Sequence, residues 1–155
     1  MAVEVYVSFD HDDQKQVDSF NLFKKNSKHL LDFHDHYFKE LSTSGEEKFI
    51  KCQLNDNHSK LVREEILKKF EKCSKLVVLI GDTTHKNNWV EWEVNNFYKK
   101  KESLFSGKAW KSIRGVSLEG FDKAIKPKAL ECRSMSVLAW DLEVLDKWIE
   151  EDANL

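Results

Sequence analysis

A glutamate at the border of an apolar helix face is the residue in this sequence best placed to do chemistry. On a helical wheel at about 100 degrees per residue, Val90, Val94 and Phe97 share one face of the segment that begins at Trp89. Glu93 lies at the edge of that face. A half-buried carboxylate stabilises a nearby positive charge more strongly than one in bulk water, because the effective dielectric constant is lower. Periodicity alone favours the ordinary alternative, in which the methylene groups of Glu93 lie on Trp89 and the carboxylate stays in water.

The neighbouring Glu91 has a structural explanation. Asn88 and Glu91 have the spacing of a capping box, in which two side chains bond to backbone N–H groups at the start of a helix. The sequence therefore predicts that a helix starts near Asn88 and that Glu91 points away from its apolar face.

Three polar residues near the second predicted strand have the spacing of metal ligands. Asp32, His34 and His36 would share one face if residues 32–36 were all extended. No further ligand cluster accompanies them in the sequence, and polar residues at a strand end more often mark the point where the chain leaves the core. We therefore predict no metal site.

The elements that must position these residues alternate between strands and helices. Val3 to Phe9 has the period of a strand, whereas Leu76 to Ile80 is apolar on both faces, as in a central parallel strand. This pattern predicts a single α/β domain over residues 1–155, with a doubly wound, mostly parallel sheet of about five strands. Ligands bind outside the carboxyl ends of strands in such sheets, so the functional loops should follow Phe9, Phe33 and Ile80.

The remaining elements are predicted from shorter apolar patterns. Further strands are expected around Leu30 to Phe33, Ile113 to Leu118 and Val137 to Trp140. One helix should run from near Asn88 to about Lys100, and the stretch from Glu40 to Asn57 should be mostly loop. A helix is expected after a cap at Asp12 or Asp13, with an apolar face formed by Val17, Phe20 and Phe23. A second should start at Ser59, with an apolar face formed by Val62, Ile66, Phe70 and Cys73. A last helix should follow a cap at Asp141, with an apolar face formed by Leu142, Leu145, Trp148 and Ile149.

The segment LIGDTTHKNNWVEWEV resembles the part of the Toll/interleukin-1 receptor (TIR) domain family that carries a W-C-x-x-E-type motif. Trp89 matches the tryptophan of that motif and Glu93 its catalytic glutamate. VEVYVSFDHDD resembles the family's first strand and loop, and HSKLVREEILKKFEKCSKLVVLIG resembles its helix and third strand. The likeness covers about residues 3–120, without a clear family landmark between Phe38 and Asp56. It is closest to the short bacterial anti-phage TIR proteins of the Thoeris type, in which the motif reads W-V-x-x-E.

The resemblance implies an enzyme that cleaves the nicotinamide–ribose bond of NAD+, with NAD+ as a substrate and no bound cofactor. The pyridinium leaves as neutral nicotinamide, so one carboxylate can carry the essential step without a general acid. Glu93 would stabilise the positive charge that builds on the ribose, hold the ribose hydroxyls or form a transient covalent bond. The product would be ADP-ribose or a cyclic or conjugated ADP-ribose signal.

The resemblance also implies substrate contacts from Phe9 and Asp10, from the region of Asp35 and from the loop containing His85. Phe9 could equally be a core residue, and Asp10 could simply end its strand. Trp89 could stack on a base or fill the space beside Glu93, and the packing role is favoured. The implied partners are an effector protein that reads the nucleotide product and further copies of the chain, which would associate through TIR surfaces.

Composition excludes several classes of protein. The 25 Lys and Arg residues nearly balance 27 Asp and Glu residues, which gives no electrostatic basis for binding nucleic acid. The three cysteines form no C-x-x-C pair, which argues against a disulfide framework or a structural zinc site. The sequence contains no apolar run of membrane-spanning length and no signal-like amino terminus. We therefore expect a cytoplasmic protein that does not bind membranes.

Two other functions fit parts of the sequence. TIR domains also act as non-catalytic interaction modules, which the resemblance leaves open. A receiver-like phosphoacceptor domain has a similar doubly wound architecture, and its pattern is imitated by Asp12 and Asp13, by Asp82 and by Lys126-Pro127. The receiver hypothesis leaves the segment from Trp89 to Glu93 unexplained.

Overall fold

The computed structural model describes residues 3–13, 16, 29–32, 37–41, 47–51, 54, 59–104, 109–132, 137–139 and 141–150. Its strands are β1 (Val3–Phe9), β2 (His29–Asp32), β3 (Tyr37–Leu41), β4 (Glu47–Lys51), β5 (Lys75–Ile80), β6 (Ile113–Ser117) and β7 (Val137–Leu138). Its α-helices are α1 (Ser59–Lys72), α2 (Asn88–Leu104), α3 (Lys128–Glu131) and α4 (Leu142–Glu150). Short 3-10 helices cover His11–Asp13, Thr84–Lys86 and Ala109–Ser112.

Five of the described strands form one parallel sheet in the order β2-β1-β5-β6-β7. At its centre β1 pairs with β5, so that Val5 lies opposite Lys75 and Phe9 lies opposite Leu79. Helices pack against both sides of this sheet. The predicted α/β fold with a doubly wound, mostly parallel sheet is confirmed.

The residues of β1 and β5 alternate between two apolar clusters, one on each face of the sheet. The first cluster lies under α1 and α2 and contains Tyr6 and Val78. The second lies under α4 and contains Val7 and Val77. Because β5 is covered on both faces, all six of its residues are buried, which accounts for its continuous apolar run after Lys75.

Lys75 is a buried cation at the start of β5. Its Nζ donates a hydrogen bond to the backbone carbonyl of Trp148 and lies 4.5 Å from the centroid of the Trp148 ring. A buried ammonium is costly unless it is paired, and the carbonyl and the ring of α4 supply that compensation. This contact therefore fastens α4 to the central strand.

The helix predictions hold for the described part of the chain. α1 begins at Ser59, whose hydroxyl donates to the carbonyl of Leu54 at 2.7 Å. Its apolar face is buried as expected, with Val62, Ile66 and Phe70 in the first cluster. Asp141 caps α4 as predicted, because its Oδ1 accepts the N–H groups of Glu143 and Val144 at 3.0 and 3.3 Å. None of the described helices is long and apolar enough to cross a membrane.

The stretch from Glu40 to Asn57 was predicted to be mostly loop, and that prediction is wrong for β4. β3 and β4 form an antiparallel pair in which Phe38 lies opposite Ile50. The sequence of β4, EKFIK, places two charged residues before two apolar ones, so it lacks the alternation that identifies a half-buried strand. Its strand conformation depends on pairing with β3, which a local pattern does not reveal.

Some predicted features fall outside the described residues. Val17, Phe20 and Phe23, the apolar positions of the helix expected after Asp13, are among them. Phe33, at the end of the second predicted strand, and Trp140, at the end of the last one, are the others.

Candidate active site

The carboxyl ends of β1 and β5 form the point at which the strand order of the sheet reverses. The chain places β2 on one side of β1, and it places β6 and then β7 on the far side of β5. A crevice at such a switch point is the usual ligand site of a doubly wound sheet. The two strands end side by side, since Phe9 lies opposite Leu79. The residues that follow them are therefore candidates for function.

The loops that leave β1 and β5 are tied together by side-chain hydrogen bonds. Asp10 is buried, and its Oδ2 accepts the hydroxyl of Thr83 at 2.9 Å while its Oδ1 accepts the N–H of Asp12 at 3.0 Å. The hydroxyl of Thr84 accepts the N–H of Gly81 at 2.8 Å and donates to Asp13 Oδ2 at 3.4 Å. These bonds fix the path of the second loop up to the start of α2.

The first turn of α2 is capped by Asn87. Its Oδ1 accepts the N–H groups of Trp89 and Val90 at 2.9 and 3.1 Å. The predicted capping box of Asn88 and Glu91 is therefore wrong, because the residue that caps the helix is Asn87 and not Asn88. Glu91 is structural, but through a different contact: both of its carboxylate oxygens accept the N–H of Ala129, at 3.1 and 3.0 Å, at the start of α3.

We expect Asn87→Ala to lower the free energy of unfolding by about 1 kcal/mol, because two N–H groups at the start of α2 lose their acceptor. Denaturant unfolding of the purified variant measures this change. Asn88→Ala is the matched control, since Asn88 is exposed and should change stability by less than about 0.5 kcal/mol. Equal losses in the two variants would contradict the assignment of the cap to Asn87.

Glu93 lies inside the protein, on the face of α2 that packs against the sheet. It is only 1% exposed, and its Oε1 accepts a hydrogen bond from the hydroxyl of Ser8 in β1 at 3.4 Å. Its helix neighbours Trp89, Val90 and Phe97 belong to the first apolar cluster. The carboxylate is therefore buried more deeply than the edge position that periodicity predicts, and it lies beside the carboxyl-terminal half of β1.

A buried carboxylate at this position has no obvious value for stability. An apolar residue of similar volume would fill the same space without the cost of removing a charged group from water. Proteins tolerate such costs mainly at functional sites. Its location, on a helix that follows the switch point, is where a ligand-contacting group is expected.

The comparison with known families agrees with this geometry. A family model described as Thoeris protein ThsB, TIR-like domain, matches residues 6–112. The chain belongs to this family. The match runs from within β1 to the 3-10 helix before β6, so it includes the carboxyl end of β1, all of β5 and the whole of α2. No curated protein matches this TIR-like domain.

The structure of the TIR-like domain brings some of the sequence-predicted site residues together. Asp10 follows Ser8 by two positions and is bonded to the loop that continues to His85. His85 lies in the 3-10 helix Thr84–Lys86, and among the described residues its buried Nδ1 atom has no hydrogen-bond partner. Trp89 is buried beside Trp92, with ring centroids 5.9 Å apart in an edge-to-face arrangement. Trp89 is packed in the first apolar cluster, and whether it also contacts a substrate stays a prediction.

Two other predicted contacts are placed differently. Phe9 belongs to the apolar cluster under α4, on the face of the sheet opposite the Glu93 cluster. Phe9 is packed in the core there, and its contact with a substrate stays a prediction. Asp35 lies outside the described residues, as do His34 and His36 of the metal spacing considered above. Among the residues that the structure describes, no group of three His, Cys, Asp or Glu side chains could hold a metal ion.

The sequence did not indicate site roles for Ser8 and Thr83. It also did not indicate the hydrogen bond between Thr84 and Asp13. Ser8 could have been found, because a strand covered on both faces buries all of its residues, and a buried hydroxyl needs a partner. The threonines gave no such signal, since a polar loop after a strand is ordinary. Their roles depend on the approach of two loops that are about seventy residues apart in the sequence.

Asp13 has an unusual proton affinity for a carboxyl group. Partial burial and the nearby negative charge of Asp10 raise its pKa from 3.8 to about 6, with smaller contributions from Asp12 and Asp82. The hydrogen bond from Thr84 opposes this shift. Asp13 is also packed tightly against Gly81, because a Cβ atom at position 81 would lie 2.4 Å from Asp13 Oδ2. The carboxyl group is thus held against the end of β5.

This pKa predicts a pH-dependent stability. The folded protein binds the Asp13 proton more tightly than the unfolded chain, so ionisation of Asp13 destabilises the fold. The penalty is absent below pH 3.8, grows as the pH rises and is complete above about pH 6. Asp13→Asn keeps an oxygen acceptor for Thr84 but cannot ionise. We expect the variant to gain stability relative to the wild type as the pH rises through this window.

Urea unfolding of both proteins at several pH values measures this difference. The other titrating groups are common to the two proteins, so they cancel to a first approximation in the comparison. A stability difference that does not change with pH between 3.8 and about 6 would contradict the raised pKa of Asp13.

Proposed function

We propose that this TIR-like domain cleaves the nicotinamide–ribose bond of NAD+ and that Glu93 is the catalytic residue. The observation that carries the proposal is the Glu93 carboxylate itself, which is buried on α2 beside the end of β1. Membership of the Thoeris TIR-like family supports the same assignment. NAD+ is the substrate, so no bound cofactor is required.

The chemistry of NAD+ suits a site with one buried carboxylate. Nicotinamide leaves as a neutral molecule because its ring nitrogen is already positively charged in NAD+, so no acid has to protonate the leaving group. As the bond lengthens, positive charge develops on the ribose. A carboxylate at about 4 Å stabilises that charge by about 4 kcal/mol at an effective dielectric constant near 20, compared with about 1 kcal/mol in bulk water. The shielding of Glu93 from solvent is therefore an advantage for this reaction.

The loops at the switch point supply groups that could hold the substrate. The Asp10 carboxylate can accept hydrogen bonds from sugar hydroxyls, and the imidazole of His85 can bond to a ribose or phosphate oxygen. Trp89 contributes by packing beside Glu93 and excluding water. Phe9 supports the end of β1 from the opposite face, and Asp35 remains a proposed contact from the second strand region.

The wider role that we propose is anti-phage defence, in line with the Thoeris family to which the chain belongs. The product would be ADP-ribose or a cyclic or conjugated form of it, and an effector protein would read it as a signal. Self-association through TIR surfaces would accompany activity.

The direct test is to incubate the purified protein with NAD+ and to follow nicotinamide by chromatography and the ADP-ribose product by mass spectrometry. The assay is run with and without an extract of phage-infected cells, because activation by infection is part of the proposal. Nicotinamide release that depends on Glu93 supports the function. Self-association without NAD+ cleavage in either condition would instead indicate a non-catalytic interaction module.

One observation favours a second candidate, a receiver-like phosphoacceptor. The carboxylates of Asp10, Asp12 and Asp82 are close enough to Asp13 to raise its pKa, so acidic groups do converge at the ends of β1 and β5. One carboxylate of such a group could accept phosphate. Labelling of Asp82 by a small phosphodonor, lost in Asp82→Asn, would support this function. The burial of Glu93 has no explanation in a receiver, which is why NAD+ cleavage is preferred.

A further inference from the structure

We infer that Ser8 is a positioning residue for the catalytic carboxylate, an inference that rests on the function proposed above. Ser8 lies in β1 and is 1% exposed, and its hydroxyl donates to Glu93 Oε1 at 3.4 Å. The two residues are 85 positions apart in the sequence, so the bond joins the central sheet to α2. It fixes the carboxylate relative to the carboxyl end of β1.

A serine at this strand position is not explained by packing. Ser8 lies opposite Val78 of β5 and on the same face as Tyr6, both of which belong to the first apolar cluster. Valine or threonine is better suited to a buried strand than serine. A buried hydroxyl is costly without a hydrogen-bond partner, and Glu93 provides one. The hydroxyl is therefore best explained by what it does to the carboxylate.

Holding one carboxylate oxygen restricts rotation of the Glu93 side chain. A glutamate has three rotatable side-chain bonds, and each hydrogen bond to its carboxylate reduces the number of directions that the carboxylate samples. The hydrogen bond from Ser8 to Oε1 favours the side-chain conformations that place Oε1 against β1. Because displacement of a reacting group by about 1 Å can cost about a hundredfold in rate, this restriction matters for catalysis.

The bond between Ser8 and Glu93 is long in the structure without substrate. At 3.4 Å it is longer than the usual 2.5–2.7 Å between a hydroxyl and an ionised carboxylate. Catalytic hydrogen bonds are often long before the substrate binds and shorten in the reacting complex. We expect the bond between Ser8 and Glu93 to shorten in the same way, so that its effect falls on kcat rather than on substrate binding.

The test compares Ser8→Ala with Ser8→Thr under the conditions in which the wild type releases nicotinamide. Ser8→Ala should lower kcat about tenfold, with KM within about twofold of the wild type. Ser8→Thr retains a hydroxyl and suits a strand, so it should recover most of the lost kcat. Ser112→Ala is the matched control, because Ser112 is also buried and its hydroxyl donates to the backbone carbonyl of Ala109 at 2.6 Å. It should leave kcat unchanged.

The outcomes separate this inference from the function on which it rests. If Glu93→Gln abolishes cleavage while Ser8→Ala keeps the wild-type kcat, the positioning role is refuted and the function stands. A Ser8→Ala variant that loses activity through a raised KM alone, or that Ser8→Thr does not restore, also overturns the inference. If the wild type releases no nicotinamide in either condition, or if Glu93→Gln is as active as the wild type, both proposals fail.

Discussion

Glu93→Gln is expected to lower the rate of nicotinamide release by about a thousandfold. The substitution keeps the size of the side chain and an oxygen that can accept from Ser8, but it removes the negative charge. The charge is worth about 4 kcal/mol to a ribose cation at about 4 Å and an effective dielectric constant near 20. That energy corresponds to about three powers of ten in rate. The measurement is nicotinamide release at saturating NAD+, with the fold checked by circular dichroism.

Glu91→Gln is the matched control for this substitution. It makes the same chemical change two residues away on the same helix, and Glu91 contacts the backbone of Ala129 rather than the sheet. The glutamine can still accept that N–H, so activity should stay within about twofold of the wild type. Equal turnover by wild type and Glu93→Gln would remove Glu93 from the mechanism. Equal losses in both glutamine variants would mean that the effect is on the helix.

Phe70→Ala should lower the free energy of unfolding by about 3–5 kcal/mol. Phe70 of α1 is fully buried, and its ring packs edge-to-face against Tyr6 of β1 and Phe97 of α2, with centroid distances of 4.9 and 5.3 Å. Removing the ring leaves a cavity among three elements and abolishes both aromatic contacts. Since a typical domain has only about 5–15 kcal/mol of stability, this is a large fraction of the total.

Urea or thermal unfolding of Phe70→Ala measures the loss. Leu61→Ala is the comparison on the same helix, because Leu61 is 60% exposed and should change stability by less than about 0.5 kcal/mol. Both residues occupy α1, so the difference between the two variants isolates burial from helix propensity. A loss of less than about 1 kcal/mol in Phe70→Ala would contradict the position of Phe70 between the sheet and α2.

The sequence predicted those parts of the fold whose patterns are local. β5 is a continuous apolar run between charged segments, and α1 repeats its apolar residues at helical spacing, so both were identified from the sequence. The alternation of these elements was sufficient to predict a parallel sheet. β4 was missed because its charged and apolar residues do not alternate and its conformation depends on a partner strand.

The candidate site was predicted less completely for a related reason. Glu93 could be placed only at the edge of the apolar face of a helix, because helical geometry fixes which side chains share a face but not how deeply a border residue is buried. The hydrogen-bond partner of Glu93 could not be predicted from the sequence, because Ser8 is brought to Glu93 by the packing of α2 on β1. The choice between Asn87 and Asn88 as the helix cap is a shift of one residue, which the pattern of two adjacent asparagines cannot resolve.

The depth of Glu93 has a consequence for how turnover begins. A side chain that is 1% exposed cannot touch a sugar until the groups above it move aside. If NAD+ is the substrate, as proposed, its ribose can reach Glu93 only after an opening step that moves the side chains packed over the carboxylate. If that step is slow, it rather than bond cleavage sets the rate. Any stimulus that stabilises the open form would then raise the rate of turnover.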